Sequence, residues 1–198
     1  MAGGTSVPKT ERRQVMSPQF SRRSPSRSAL IVLDMQVGLV HGPVPPHGSA
    51  GVLVRIQDMA DRARQARGMV VLVQHDGPEG SRAAPGAADW QLVEQLAPQA
   101  GDLVVRKTRP SVFAGTELAA LLRDHGIGRV VLAGMKTEYC VDASCRAARD
   151  LGFEAVLAGD AHTTIDTPAL AAGAIIQHHN LTLGGPFAQV MPAAAVGF

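Results

Sequence analysis

The chain has 198 residues, of which 45% are hydrophobic, 18% charged and 4% aromatic, with a formal net charge of +2. That length and balance suit one globular domain with a full core. No run approaches the ~20 apolar residues that span a bilayer, and the first 28 residues lack the apolar segment of a signal peptide, so the expectation is a cytoplasmic enzyme or binding domain. The two cysteines, Cys140 and Cys145, lie five apart on one predicted helix and are poorly placed to bridge. A disulfide framework is not expected, and a reducing compartment fits.

Charge is unevenly spread. Residues 1–28 carry six basic side chains (Lys9, Arg12, Arg13, Arg22, Arg23, Arg27) against Glu11, a net of +5 that leaves −3 for the other 170 residues. A basic, Ser/Pro-rich and apolar-poor arm cannot bury enough surface to fold alone. It reads either as a tether for nucleic acid or an acidic surface, or as a disordered extension or start-codon artefact ahead of the domain. No aromatic interleaving supports nucleic-acid recognition. The expectation is a disordered arm over 1–28 and one domain over 29–198.

In chain order, residues 28–34 form a continuous aliphatic run ended by Asp34, the pattern of a buried strand. A Gly/Pro-rich loop follows to Gly48. Ser49 is expected to cap a helix with Val52, Ile56, Met59, Ala60 and Ala63 on its apolar face, stopped by Gly68. A second strand spans 69–74. The long loop over 75–88 is a candidate pocket wall, with the single Trp90 in a short turn beyond it. A third strand spans 102–106, with Lys107 directly after it.

Thr116 is expected to cap a helix ended by Gly126. A fourth strand runs to Ala133. A helix carrying Cys140 presents Val141, Cys145, Ala148 and Leu151 inward and Asp142, Arg146, Arg149 and Asp150 outward. A fifth strand spans 153–158. Thr167 and Pro168 are expected to open a last helix as cap and first residue, and a short sixth strand ends the pattern near 188–191.

Solid aliphatic strands alternating with helices predict an α/β fold: a three-layer α/β/α sandwich around a six-stranded, mostly parallel, doubly wound Rossmann-like sheet. In the order 3-2-1-4-5-6, ligands bind at the carboxyl ends of the strands, where strand order reverses. Asp34 after strand one, Lys107 after strand three and Cys140 after strand four then share one rim.

Cys140 near a helix start meets unpaired N–H groups and a dipole that favours negative charge, which depresses a thiol pKa. Alternatively it is a small buried hydrophobe. Its neighbours on the rim favour the first reading. A carboxylate within reach can take the thiol proton, and an ammonium favours thiolate. The oxyanion formed by attack on a carbonyl needs donors; the Cys140 N–H is one candidate.

Three segments carry a resemblance: Leu33-Asp34-Met35-Gln36; Lys107 followed by Pro110 and Phe113-Ala114-Gly115-Thr116; and Gly134-Met135-Lys136-Thr137-Glu138-Tyr139-Cys140-Val141. In order and spacing, over about residues 29–180, the chain resembles the isochorismatase-like cysteine hydrolases, a superfamily that includes nicotinamidases, N-carbamoylsarcosine amidases and streptothricin hydrolase. The resemblance implies Asp34 as general acid/base, Lys107 as triad lysine and Cys140 as nucleophile. It implies a cis peptide at Met135–Lys136, braced by Thr137, that aims the Lys136 N–H at the oxyanion beside that of Cys140. It also implies hydrolysis of a small amide through a thioester.

The chain departs from its relatives in places. Nicotinamidases bind a metal through an Asp-x-His motif and further histidines after strand two. Here Gln74-His75-Asp76-Gly77-Pro78-Glu79 has the wrong spacing, and neither metal nor other cofactor is expected. His75 lines the pocket or caps a strand end, the Lys136 side chain meets solvent or an anionic substrate group, and His162 has at most a hydrogen-bonding part. His178 and His179 suit packing or an interface. Topology suggests Gln36, Leu39, His75, Trp90, Phe113 and Tyr139 as pocket residues. Homo-oligomerisation is implied by the relatives; no membrane or nucleic-acid partner is expected. Three functions stand: a cysteine amidohydrolase acting on a linear or cyclic amide, a vinyl ether hydrolase of the kind that lacks the nucleophilic cysteine, or an idle member that serves as a binding protein.

Overall fold

The computed structural model describes Met1 and residues 27–198. Six strands form one sheet: β1 (Arg27–Leu33), β2 (Met69–His75), β3 (Leu103–Lys107), β4 (Ile127–Met135), β5 (Glu154–Thr163) and β6 (Gln189–Met191). Their order is β3-β2-β1-β4-β5-β6 and every pairing is parallel. Strand β1 takes in Arg27 and Ser28, which composition assigned to the arm; the remainder of that arm, residues 2–26, lies outside the described residues.

The sheet is covered on both faces because its central strands are apolar on both sides. From β1, Leu30 and Val32 join a cluster with Ile56, Met59 and Ala63 of α2 (Ser49–Gln65). Ala29, Ile31 and Leu33, one residue out of phase, join the opposite cluster. That cluster takes Leu118 and Leu122 from α3 (Leu118–Asp124), Cys145 and Ala148 from α4 (Asp142–Asp150) and Leu183 from α5 (Ala172–Leu183). Each fully buried Leu or Ile contributes roughly 1.5–3 kcal/mol. A four-residue helix, α1 (Val37–Val40), follows β1. No described helix is long and apolar enough to cross a membrane.

Three local expectations are corrected. Ser49 is the first residue of α2 rather than its cap: Gly48, at φ +60°, holds the cap position, and no side chain caps the helix. Thr167 and Pro168 do not open α5. The Thr167 hydroxyl closes a local turn with Leu170, and the helix starts at Ala172, whose N–H donates to the Asp166 carboxylate at 2.8 Å. Leu151 lies just past the end of α4 and is exposed.

Two irregularities shape the reversal point. Gly134 of β4 pairs with Leu33 at a φ of +112°, so close that an added Cβ would collide with the Leu33 carbonyl. Only glycine fits both demands. Between β4 and β5 the register shifts: Leu132 pairs with Leu157, but Gly134 pairs with His162. The extra residues of β5 are taken up in this irregularity, and His162 arrives beside the end of β4.

Candidate active site

Parallel strands deliver their carboxyl ends to one rim, and four side chains meet there. Asp34 follows β1, His75 ends β2, Lys107 ends β3, and Cys140 sits in a π-helical turn (Thr137–Val141) between β4 and α4. His75 and Lys107 are register partners. Asp34 adopts a left-handed backbone at φ +53°, a conformation aspartate tolerates better than most residues. Its N–H donates to Val73 of β2, which fixes the turn.

The Lys107 ammonium is the hub. It donates to Asp34 Oδ2 at 2.7 Å, to His75 Nδ1 at 3.0 Å and to Cys140 Sγ at 3.2 Å. Both members of the Lys107–Asp34 pair are buried. Removing one partner of such a pair typically costs about 3–5 kcal/mol, because the other charge is left unmatched away from water. The second carboxylate oxygen, Asp34 Oδ1, is buried without a hydrogen-bond partner. It is the free acceptor beside the thiol.

Electrostatics correct one expectation. The Cys140 thiol is not depressed. Burial, and then the negative charge of Asp34, push it up to about 12 against the opposing pull of Lys107. Burial also raises the Asp34 carboxyl from its ordinary value, although Lys107 and the thiol draw it back down. At rest, sulfur therefore holds its proton. The ammonium favours thiolate as expected, but desolvation outweighs it. Burial and then Lys107 lower the pKa of His75, which keeps its imidazole neutral at pH 7.

Asp34, His75 and Cys140 place an oxygen, a nitrogen and a sulfur atom within 4.8 Å of one another, a donor set that a metal ion could use. The Lys107 ammonium already stands among these same atoms. A resident metal does not fit: it would meet the protein's own cation.

The turn that carries Cys140 is held from below. The Met135–Lys136 peptide is cis, and the N–H groups of Tyr139 and Val141 both donate to the Lys136 carbonyl. Thr137 is buried against His162, with Oγ1 2.9 Å from Nδ1. His162 Nε2 lies 2.9 Å from Asn180 Oδ1, and Asn180 Nδ2 donates to the Gly159 carbonyl. That last bond orients the amide and sets the direction of the chain. Nε2 carries the imidazole proton, and the Thr137 hydroxyl donates to Nδ1. His162 thus braces the turn, a part stronger than the sequence suggested, and Asn180 was missed altogether.

A cavity of about 610 Å³ opens beside Cys140. Gln36, Leu39, His75 and Tyr139 line it as expected, with Asp34 and Lys136. Gln36 is a clamp as well as a wall. Its buried amide accepts from the His75 N–H and donates to the carbonyls of His75 and Trp90. The structure does not bring Trp90 and Phe113 to the cavity lining. The Trp90 indole donates to Asp76 and lies under the Arg106 guanidinium, while Phe113 stacks on Phe153 beneath the opposite face of the sheet. Aromatic type drew attention to both residues; neighbours not visible in the sequence hold them elsewhere. Arg82 and Ala83 of the 75–88 loop line the cavity, so that loop is a pocket wall as expected; Asp89, ion-paired to Arg82 at 2.7 Å, lines it too and was missed. Gly38 lies so close to Asp89 that no Cβ fits between them.

The family model described as the isochorismatase domain matches residues 28–190. The chain belongs to the isochorismatase family. Within that family it is 40% identical over 141 residues to a streptothricin hydrolase of Streptomyces noursei, covering 71% of this chain and 51% of that protein. It thus spans about half the length of that relative. It is 30% identical over 182 residues to the ureidoacrylate amidohydrolase RutB of Agrobacterium fabrum (strain C58), covering 73% of this chain and 79% of RutB. A cysteine hydrolase of Pseudomonas syringae pv. phaseolicola 1448A shares the fold at a TM-score of 0.79 and 25% identity, over 85% of this chain and 89% of that one.

Proposed function

We propose that this isochorismatase-family protein is a cysteine hydrolase that cleaves the C–N bond of a small amide through a thioester. The observation that carries the reading is the Lys107 hub, with a carboxylate and a thiol on one buried ammonium and a free carboxylate oxygen beside the sulfur. The relatives named for amide hydrolysis and for a cysteine support it. The cavity is of a size for a small molecule.

The steps balance on Asp34 alone. Asp34 takes the Cys140 proton as sulfur adds to the substrate carbonyl. The charge on the carbonyl oxygen is met by the backbone N–H groups of Cys140 and Lys136. The C–N bond breaks as Asp34 gives its proton to the departing nitrogen, and ammonia or an amine leaves. Asp34 then takes a proton from water, whose oxygen attacks the thioester. The C–S bond breaks, the acid is released, and the proton returns to sulfur. Lys107 holds Asp34 charged and in place and takes no proton.

Because the thiol rests protonated, the thiolate arises only during attack. Slow labelling of Cys140 at neutral pH is therefore a property of this mechanism and does not mark an idle protein. The test is a panel of linear and cyclic amides with ammonia or amine detection. Cys140→Ala is expected to lower turnover by roughly 10⁴-fold or more with the fold intact. Amide turnover that survives in that variant overturns the proposal, and isochorismate turnover that survives favours ether hydrolysis instead.

A further inference from the structure

The mechanism above leaves one group on the hub unused. The Lys107 ammonium has three hydrogens and no lone pair, and its three neighbours are Asp34 Oδ2, Cys140 Sγ and His75 Nδ1. Each must therefore accept. His75 Nδ1 can do so only as an unprotonated nitrogen, which leaves the single proton of a neutral imidazole on Nε2. That Nε2 makes no hydrogen bond among the described residues, and His75 lines the cavity. The residue is held at both ends: the buried Gln36 amide clamps its backbone N–H and carbonyl, and Lys107 holds the ring at Nδ1.

Lys107 itself is buried and its hydrogens are spent, so it acts on the cavity through the three groups it donates to, Asp34, Cys140 and this ring. An ammonium that donates to Nδ1 polarises the imidazole and strengthens the Nε2–H as a donor. That donor shares the cavity lining with the apolar Leu39, Pro43, Ala83 and Pro110 and with the polar Arg82, Asp89 and Lys136. His75 Nδ1 shares the Lys107 ammonium with Cys140 Sγ, and both residues line the cavity, so an acceptor that meets the other nitrogen of the ring belongs to the same small molecule whose carbonyl meets the sulfur.

We infer that His75 is a catalytic residue: its neutral ring takes the third hydrogen of Lys107 at Nδ1 and donates Nε2–H to an acceptor on the substrate adjoining the reacting carbonyl. The preferred substrates are thus amides with a second acceptor, an oxygen or ring nitrogen, one or two bonds from the scissile carbonyl. This rests on Cys140 as the nucleophile. The groups around His75 are Lys107 from β3, Asp34 after β1, Asp76 next in the chain and Cys140 from the π-helical turn. Burial and Lys107 both disfavour the imidazolium, in keeping with the neutral ring.

Two measurements on the full chain test this without knowledge of the natural substrate. The first is ¹⁵N NMR of the histidine rings at neutral pH, with His75→Gln to assign the signal. An unprotonated Nδ1 and a protonated Nε2 are expected; an Nδ1–H tautomer or an imidazolium overturns the inference. The second is protection of Cys140 from iodoacetamide by methoxyacetamide and by butyramide, which differ in one ether oxygen. Methoxyacetamide is expected to protect roughly tenfold more tightly, the worth of one buried hydrogen bond. That preference should vanish in His75→Leu and return in part in His75→Gln, whose amide can both accept and donate.

Equal or absent protection by the two amides in the unmodified protein overturns the inference, as does a preference that persists in His75→Leu. The nitrogen signals and the wild-type comparison stand even if His75→Leu fails to fold. Failure here leaves Cys140 as nucleophile untouched, because that reading falls only if Cys140→Ala retains amide turnover.

Discussion

Cys140 and Cys145 lie five residues apart, and burial pushes both thiols up to about 12. Their surroundings otherwise differ. Cys145 packs into an apolar cluster with Val141, Ala148 and Phe153, and its nearest charges are Asp142 and Arg146, which pair with each other at the surface of α4. Cys140 faces a cavity, with an ammonium 3.2 Å away and a carboxylate oxygen without a partner. The thiol pKa does not separate the proposed nucleophile from the core cysteine. What separates them is a proton acceptor that can change state and space for a carbonyl to approach.

The largest test of that contrast removes the cation from each. Lys107→Met is expected to abolish amide turnover and to lower unfolding stability by about 3–5 kcal/mol, because Asp34 is left buried and unpaired. Arg146→Met, beside Cys145, breaks a partly exposed i,i+4 pair and is expected to cost about 1 kcal/mol or less. Chemical denaturation of both variants checks this, and equal losses would erase the distinction.

Next is alkylation. With a thiol at about 12, the thiolate fraction of Cys140 rises about tenfold per pH unit. Iodoacetamide labelling read by peptide mass spectrometry should therefore climb roughly a thousandfold between pH 7 and 10. Cys145, with no exposed surface, is expected to stay unlabelled until the protein unfolds. A Cys140 rate that is already flat at pH 7 would mean a preformed thiolate.

Substitution of the second cysteine gives a smaller effect. Cys145→Ser buries a hydroxyl in an apolar cluster and is expected to cost roughly 1–3 kcal/mol, with turnover within a few-fold of wild type. A drop in turnover as deep as that of Cys140→Ala would join the two sites.

The smallest effect is in pH. His75 and His162 have folded-state pKa values below the ordinary 6.5, with burial as the first cause. Below that value the unfolded chain binds more protons than the folded one, so their contribution is whole above about pH 6.5 and is lost as pH falls through it. Asp34 acts in the opposite sense, because its raised value lets the folded state hold a proton longer. A comparison with His162→Gln isolates the histidine part: the variant's melting temperature should fall less between pH 7 and 5, by a few degrees. Parallel curves would contradict the buried neutral ring.

How much of this was legible beforehand follows from the range of each interaction. The aliphatic runs of β1, β2 and β4 are strong local signals, and a run buried on both faces has one stable use, in a covered parallel sheet. That sheet then brings Asp34, Lys107 and Cys140 to one rim, whatever the loops do. The start of α5 was misread because Thr167 followed by Pro168 has the form of a cap, yet the Thr167 hydroxyl found a nearer partner in Leu170. Trp90 and Phe113 were misplaced because aromatic type says nothing of direction. His162 and Asn180 were undervalued because their partners are distant in sequence, and Asp89 because it sits in a segment with no periodic pattern.

The sequence by itself determined the strand order, the reversal point and the three chemically capable residues that share its rim, because each follows from local apolar pattern and from the rules of parallel crossovers. Only the tertiary structure decided the state of the thiol, the neutral form of His75 and the bracing of the turn through His162. Those depend on how far each group is withdrawn from water and on which charges stand within a few ångströms, and both are set by packing between segments far apart in the chain.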